Sequence, residues 1–259
     1  MNFGICRLSR MPVRAGRAEQ SEMITELLFG DMFEILELKK KWVRIRMEYD
    51  RYEGWIGNAG YNVITEEQFE EFILANTLVT TELVSILSDE KSDHKVSVLC
   101  GSSLPKPHRK RINIANHKYL SDSLILDPAK KTPSETIISA ALRYLGSPYT
   151  WGGRNPFGID CSGLVQMAYK QAAVRLPRDA GDQAQAGETL SFIDEALPGD
   201  LAFFDDENGK IIHTGIIIGN GEIIHSSGFV RIDKIDHQGI YNRDTQSYSH
   251  KLRLLKRII

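Results

Sequence analysis

The sequence predicts an α+β fold in which two helices precede an antiparallel sheet, with two small β-barrels ahead of them. Three features carry this reading. Trp42-Val43-Arg44-Ile45-Arg46-Met47 alternates with the period of a half-buried strand. Thr132-Pro133-Ser134-Glu135 supplies the cap, the proline and the acid that open a helix. After Pro198-Gly199-Asp200 the pattern returns to strand-like runs.

The first barrel continues through Phe33-Glu34-Ile35-Leu36-Glu37-Leu38, which also alternates, and Asp50 and Gly54 mark turns around Glu53-Gly54-Trp55-Ile56-Gly57. Trp42, Tyr52 and Trp55 are expected to pack this barrel. A second strand-rich stretch runs through Thr77 to Leu87, Lys95 to Leu99 and Arg111-Ile112-Asn113-Ile114, so two barrels of about 60 residues each fit the N-terminal half. Asp127 to Pro133, with Pro128 and two lysines, reads as a boundary, giving expected domains at 1–64, 65–127 and 128–259. In the helix that follows, Ile137, Ala141 and Leu145 share a face and Gly146 ends it. A second helix follows Cys161, with Leu164, Val165, Ala168, Tyr169 and Ala172 at helical spacing. Leu201 to Phe204, His213 to Ile218, Glu222 to Ser227 and Lys251 to Ile259 then supply the sheet.

The chain has 259 residues, 42% hydrophobic and 25% charged, with a net charge of −2. This is an ordinary globular composition with no global field drawing the chain to nucleic acid or to a membrane surface. The basic runs Lys39-Lys40-Lys41 and His108-Arg109-Lys110-Arg111 lack interleaved aromatics and read as solvated turns. No run approaches the roughly 20 apolar residues of a membrane helix. Arg7, Arg10, Arg14 and Arg17 break the N-terminal stretch, so the chain reads as cytoplasmic, or as an envelope or secreted protein if a leader was removed. The three cysteines, Cys6, Cys100 and Cys161, form no CxxC pair, which argues against a disulfide framework and a thiolate metal site. Cys6 and Cys100 lie in apolar contexts and read as core residues.

Cys161 differs. Asp160-Cys161-Ser162-Gly163 follows a glycine-rich stretch and opens the second helix, where unpaired amides and the helix dipole favour an anion. A cysteine so placed can have a pKa of roughly 3.5–7.5 and act as a nucleophile; a cysteine packing a helix end is the plainer alternative. His213 and His225 flank a Gly-Asn-Gly turn. With Gly219 to Gly221 as a three-residue loop, paired residue numbers sum to 440, and His213 and His225 become diagonal neighbours on one face, about 7–8 Å apart between Cα atoms. The hairpin alone then presents a base and an orienting partner. A zinc site built on Cys161 and the two histidines would need a further ligand or an open water position.

Tyr149-Thr150-Trp151-Gly152-Gly153, Asp160-Cys161-Ser162-Gly163-Leu164-Val165, Leu197-Pro198-Gly199-Asp200-Leu201, His213-Thr214-Gly215-Ile216 and Ile224-His225-Ser226-Ser227 resemble, in order, the motifs of the NlpC-type cell-wall peptidases. Arg14, Ser21-Glu22-Met23, Leu27 to Asp31 and Tyr49 to Gly57 are similar to the paired bacterial SH3-like domains of one subgroup. The resemblance implies a papain-like catalytic domain behind two SH3-like barrels. It also implies a cysteine peptidase acting on murein stem peptides with a free L-Ala amino end. Such an enzyme would cleave the γ-D-Glu–L-diamino acid bond and release L-Ala-γ-D-Glu, without cofactor or metal. Cys161 would be the nucleophile, His213 the general base and His225 its orienting partner. Asp160 and Ser162 would contact the amino end, Tyr149 would border the pocket, and Glu22 with Tyr52 (or Tyr49) would close over it. Relatives often carry serine where Ala180 follows Arg178-Asp179, which removes one expected substrate contact. Asp160 is equally able to cap the helix and Glu22 to be a surface acid. Acyl transfer from the same thioester, or a non-catalytic wall-peptide-binding module, are the readings from other classes.

Overall fold

The computed structural model describes residues 2–74, 78–92, 94–105, 111–121 and 132–259, in two compact units, Met1–Pro128 and Ala129–Ile259. Thr77, His108 to Lys110 and Asp127 to Lys131, on which parts of the sequence reading fall, lie outside the described residues.

In the N-terminal unit β1 (Asn2–Cys6), β2 (Arg10–Arg14), β3 (Met23–Leu28), β4 (Met32–Leu38), β5 (Trp42–Met47), β6 (Glu53–Gly57) and β7 (Tyr61–Ile64) form one antiparallel sheet in the order β3-β2-β6-β5-β4-β1-β7. The alternation in β5 aims Val43, Ile45 and Met47 into a core with Val13, Leu27, Phe33 and Ile56. Tyr52 packs on the edge of this core, while Trp42 and Trp55 are only half-buried. Gly54 lies inside β6 rather than in a turn. A Cβ there would come within 2.5 Å of Val13 Cγ1, so the strand's approach to β2 requires glycine.

A helix absent from the sequence reading, α1 (Glu66–Leu74), follows, then β8 (Leu78–Val79), β9 (Val84–Asp89), β10 (Lys95–Leu99), β11 (Ser103–Leu104), β12 (Arg111–Ile114) and β13 (His117–Ser121). The second barrel expected here is, among the described residues, a four-stranded sheet β10-β9-β13-β12 beside the β11-β8 ladder. Its core is shared across residue 64. Phe3 and Ile5 of β1 join Phe29, Phe69 and Phe72 of the connecting segments and Leu87, Val98, Ile112 and Tyr119 of the second sheet. Phe3 stacks on Phe69 at 4.1 Å between centroids, and this common apolar filling makes the N-terminal half one unit.

The C-terminal unit opens with α2 (Pro133–Arg143). Thr132 caps it, its hydroxyl accepting from Glu135 N at 3.3 Å while the Glu135 carboxylate accepts from Thr132 N at 2.9 Å. The helix ends at Arg143, leaving Leu145 51% exposed beyond it, whereas Ile137 and Ala141 are buried as their spacing requires. After the short ladder of β14 (Arg154–Asn155) and β15 (Gly158–Ile159) comes α3 (Cys161–Gln171). Every residue of α3 from Cys161 to Lys170 is buried, so it is a central helix rather than the amphipathic one its spacing implied. Then follow α4 (Ala180–Gln183), β16 (Glu188–Leu190), β17 (Leu201–Asp205), β18 (Ile211–Gly219), β19 (Glu222–Ser227), β20 (Phe229–Ile235), β21 (Gly239–Asn242) and β22 (Ser247–Arg257).

The sheet runs β16-β22-β17-β18-β19-β20-β21, and β21 also pairs with β22, which closes six strands into a barrel. The α+β order holds; closure depends on β20 and β21, two strands the sequence reading did not contain. Ala202, Phe204, Ile217, Ile223, Ile235, Ile240 and Leu255 fill the barrel's core. No described helix is long and apolar enough to cross a membrane.

Candidate active site

Cys161 is the first residue of α3. Asp160 caps that helix from extended backbone, its Oδ1 accepting from Gly163 N at 2.7 Å. The same carboxylate accepts from Gly152 N at 2.8 Å and from Arg178, Nη1 to Oδ1 at 3.0 Å and Nη2 to Oδ2 at 2.6 Å. Arg178 Nη1 also donates to Ser162 Oγ at 2.9 Å. Arg178 and Asp160 side chains are 1% and 6% exposed, so this is a buried bidentate ion pair beneath the first turn of α3. Burial opposes the Arg178 charge, and Asp160 outweighs it, holding the guanidinium above its usual pKa. The capping reading of Asp160 is thus met, and the same carboxylate also pairs with Arg178. Ala180 opens α4 after Asp179, whose side chain makes no cap bond.

The thiol of Cys161 sits against β18, accepting hydrogen bonds from the backbone amides of Thr214 and Ser162. These bonds and Arg178 favour thiolate, but burial and the Asp160 charge push the thiol up to about 12. Burial thus works against the anion that the helix position favours. Half-buried Tyr149 borders it, its phenol held above the usual range by burial, then by Cys161 and Asp160.

The two histidines meet on β18 and β19, His213 being the residue before Thr214, whose amide meets the thiol. The hairpin turn is the two-residue Asn220-Gly221, with φ of 54° and 64°, and a bulge follows Ile217. The expected three-residue loop is thus replaced by a tighter turn, yet the extra residue is absorbed by the bulge. Beyond it Ile217 pairs with Ile223 and Gly215 with His225, the register that sums to 440. His213 Nε2 lies 2.9 Å from His225 Nδ1, with the two residues 5% and 1% exposed. By alternation both stand on the same side of their strands as the core residues Ile217 and Ile223. Gly215 makes room: a Cβ there would fall 2.9 Å from His225 Cβ and 2.7 Å from Ile223 Cδ1.

Three further residues complete the cluster, all absent from the sequence reading. Asp233 of β20 accepts at Oδ2 from His225 Nε2 across 3.1 Å, and Arg231 grips the same carboxylate at 2.7 and 3.0 Å. His250 of β22 lies against His213, ring centroids 4.1 Å apart and planes 22° from parallel. The signal for Asp233 was an acid two residues before Ile235 in the mixed run Val230 to Ile235, which only the pairing with β19 places beside His225. His250 carried no signal, since it reaches His213 through barrel closure. Burial, then the neighbouring imidazoles His250 and His225, hold His213 well below its ordinary pKa, as a neutral base.

His213, His225 and His250 bring ring nitrogens within 4.8 Å, close enough for one cation. Their orientation does not suit one. A metal bound at about 2.0–2.1 Å lies in the plane of each imidazole that holds it. The near-parallel stack of His213 on His250 keeps those planes apart, and His213 Nε2 already faces His225 Nδ1. The arrangement is one for moving a proton. Glu22, exposed at the start of β3, and Tyr52 belong to the N-terminal unit.

Residues 146–249 match the NlpC/P60 family, and residues 13–60 match the bacterial dipeptidyl-peptidase Sh3 domain. The chain is 29% identical over 237 residues to a gamma-D-glutamyl-L-lysine dipeptidyl-peptidase of Bacillus subtilis, covering 82% of this chain and 75% of that one. It is 47% identical over 96 residues to the bifunctional muramidase/DL-endopeptidase CwlT of the same organism, where the match spans only 29% of the relative. The crystal structure of an NlpC/P60 family protein from Bacillus cereus superposes with a TM-score of 0.82 at 19% identity, over 99% of both chains, and so shares the fold. The chain is a cysteine peptidase in which a bacterial dipeptidyl-peptidase SH3 domain is followed by an NlpC/P60 domain.

Proposed function

We propose that this cell-wall peptidase hydrolyses murein stem peptides with a free N-terminal L-Ala, cleaving the γ-D-Glu–L-diamino acid bond to release L-Ala-γ-D-Glu, and that Cys161, His213 and His225 carry the reaction. The observation that supports the residues is the seating of a helix-opening cysteine against the amide of Thr214, the residue that follows His213 in the chain, with His213 bonded to His225 at 2.9 Å. The substrate class rests on the likeness to gamma-D-glutamyl-L-lysine dipeptidyl-peptidases across 82% of the chain.

In this reading His213 takes the thiol proton as the Cys161 sulfur attacks the γ-carbonyl carbon. The leaving amine receives that proton as the C–N bond breaks, and water hydrolyses the thioester. A neutral thiol beside a neutral imidazole is a consistent starting pair, since transfer creates both charges together at attack. Tyr149 borders the acyl group. Asp160 and Ser162, both held by Arg178, are assigned to the substrate's free amino end. Mass spectrometry of products from stem peptides with free and acetylated amino ends tests this: release of L-Ala-γ-D-Glu from the free peptide, at least about tenfold faster than from the acetylated one, is expected. Full activity in Cys161→Ala, or equal cleavage of both peptides, overturns the residue assignment or the substrate assignment respectively.

A further inference from the structure

Resting on that reading of His213 and His225, we infer that Asp233 is a positioning residue that fixes the tautomer of both histidines and thereby selects which nitrogen of His213 serves as the base. The bonds run in one line from Arg231 through Asp233 and His225 to His213, and with one proton on each ring, proton counting along it leaves one solution. Asp233 is an acceptor only: Arg231 Nε and Nη2 donate to its two oxygens at 2.7 and 3.0 Å, as a carboxylate requires. Burial opposes its charge, but the bonds from His225 and Arg231 overcome this and hold the carboxyl at about 2.

His225 Nε2, 3.1 Å from that carboxylate, must then carry a proton. Neutral His225 has its lone pair at Nδ1. That lone pair faces His213 Nε2 at 2.9 Å, so His213 Nε2 must carry a proton as well. The free lone pair of neutral His213 is left at Nδ1, which is the atom that accepts the thiol proton. When it does, the imidazolium keeps its Nε2 proton on His225, and the Asp233 charge stands one ring beyond. The stack with His250 at 4.1 Å fixes the plane in which this selection operates.

Nitrogen-15 NMR of the full chain, labelled at histidine and assigned with His213→Gln and His225→Gln, reads the tautomers directly. In the Cys161→Ala protein near neutral pH both rings are expected with Nε2 protonated and Nδ1 bare. Asp233→Asn keeps the shape, and its amide can donate to His225 Nε2, reversing the relay. It is expected to populate Nδ1-protonated rings and to lower kcat at least about a hundredfold, with KM changed less than threefold, while Asp233→Glu recovers part of kcat. Nδ1-protonated rings in the parent, or wild-type kcat in a folded Asp233→Asn protein, overturn the inference. Activity surviving in Cys161→Ala would instead overturn the reading beneath it and leave the tautomers as measured.

Discussion

Replacing Arg178 by methionine removes the guanidinium that holds Asp160 in the floor of α3. The two groups are 1% and 6% exposed and joined at 2.6 and 3.0 Å, so the change strands a carboxylate in the interior rather than exposing it to water. Losing one partner of a buried pair costs about 3–5 kcal/mol, because the remaining charge has no compensation. Asp160 would still accept from Gly163 N and Gly152 N, at 2.7 and 2.8 Å, which places the cost nearer the lower end. At roughly 4 °C per kcal/mol for a domain of this size, the calorimetric transition of the C-terminal unit should fall by about 12 °C. Adding Asp160→Asn removes the stranded charge, so the double variant should recover at least about 1 kcal/mol relative to the sum of the single changes. A loss below about 1 kcal/mol in Arg178→Met, or strict additivity, would show that the pair does not hold the helix start.

Acid should destabilise the protein in two stages. His213 and His250 are held below the ordinary value of 6.5, His250 at about 4, so the unfolded chain binds protons first and stability falls as pH drops below 6.5; Asp233, at about 2 against an ordinary 3.8, adds a second loss below 3.8. Denaturant titrations from pH 7 to 3 check this, and a flat profile between 6.5 and 4 counts against neutral buried histidines. Gly215→Ala should shift His225 and lower kcat/KM by about a hundredfold with the fold retained, and wild-type kinetics would show that the strand yields instead. Because burial pushes the Cys161 thiol up to about 12, its alkylation rate should climb steadily between pH 6 and 9 while remaining faster than that of fully buried Cys6 and Cys100. A plateau near neutrality would reveal a thiolate already formed.

Much of the catalytic unit was legible in local sequence. The Thr132–Glu135 box, the helix opened by Asp160 and the register between β18 and β19 are set by interactions a few residues apart or by one tight turn. The turn itself was misread because a bulge and a shorter loop give the same register. Helix α1 was missed because its residues 66–74 include a Glu-rich exposed face, while Phe69 and Phe72 bury themselves in a core built largely from strands of two sheets.

By itself the sequence determined that helices precede an antiparallel sheet in the C-terminal unit, with the helix that carries Cys161 and the hairpin that carries His213 and His225, since capping, period-two alternation and turn chemistry act locally. Only the tertiary structure decided that Arg178 lies beneath Asp160, that Asp233 and Arg231 stand behind His225, and that His250 covers His213. Those contacts cross from β18 and β19 to β20 and β22 through strand pairing, or from the start of α3 to the loop before α4, between residues far apart in the chain. The same exclusion of water raises the thiol and lowers the imidazole, against what the helix position alone favours, because desolvation depends on what surrounds a residue in space and not on its neighbours in the chain.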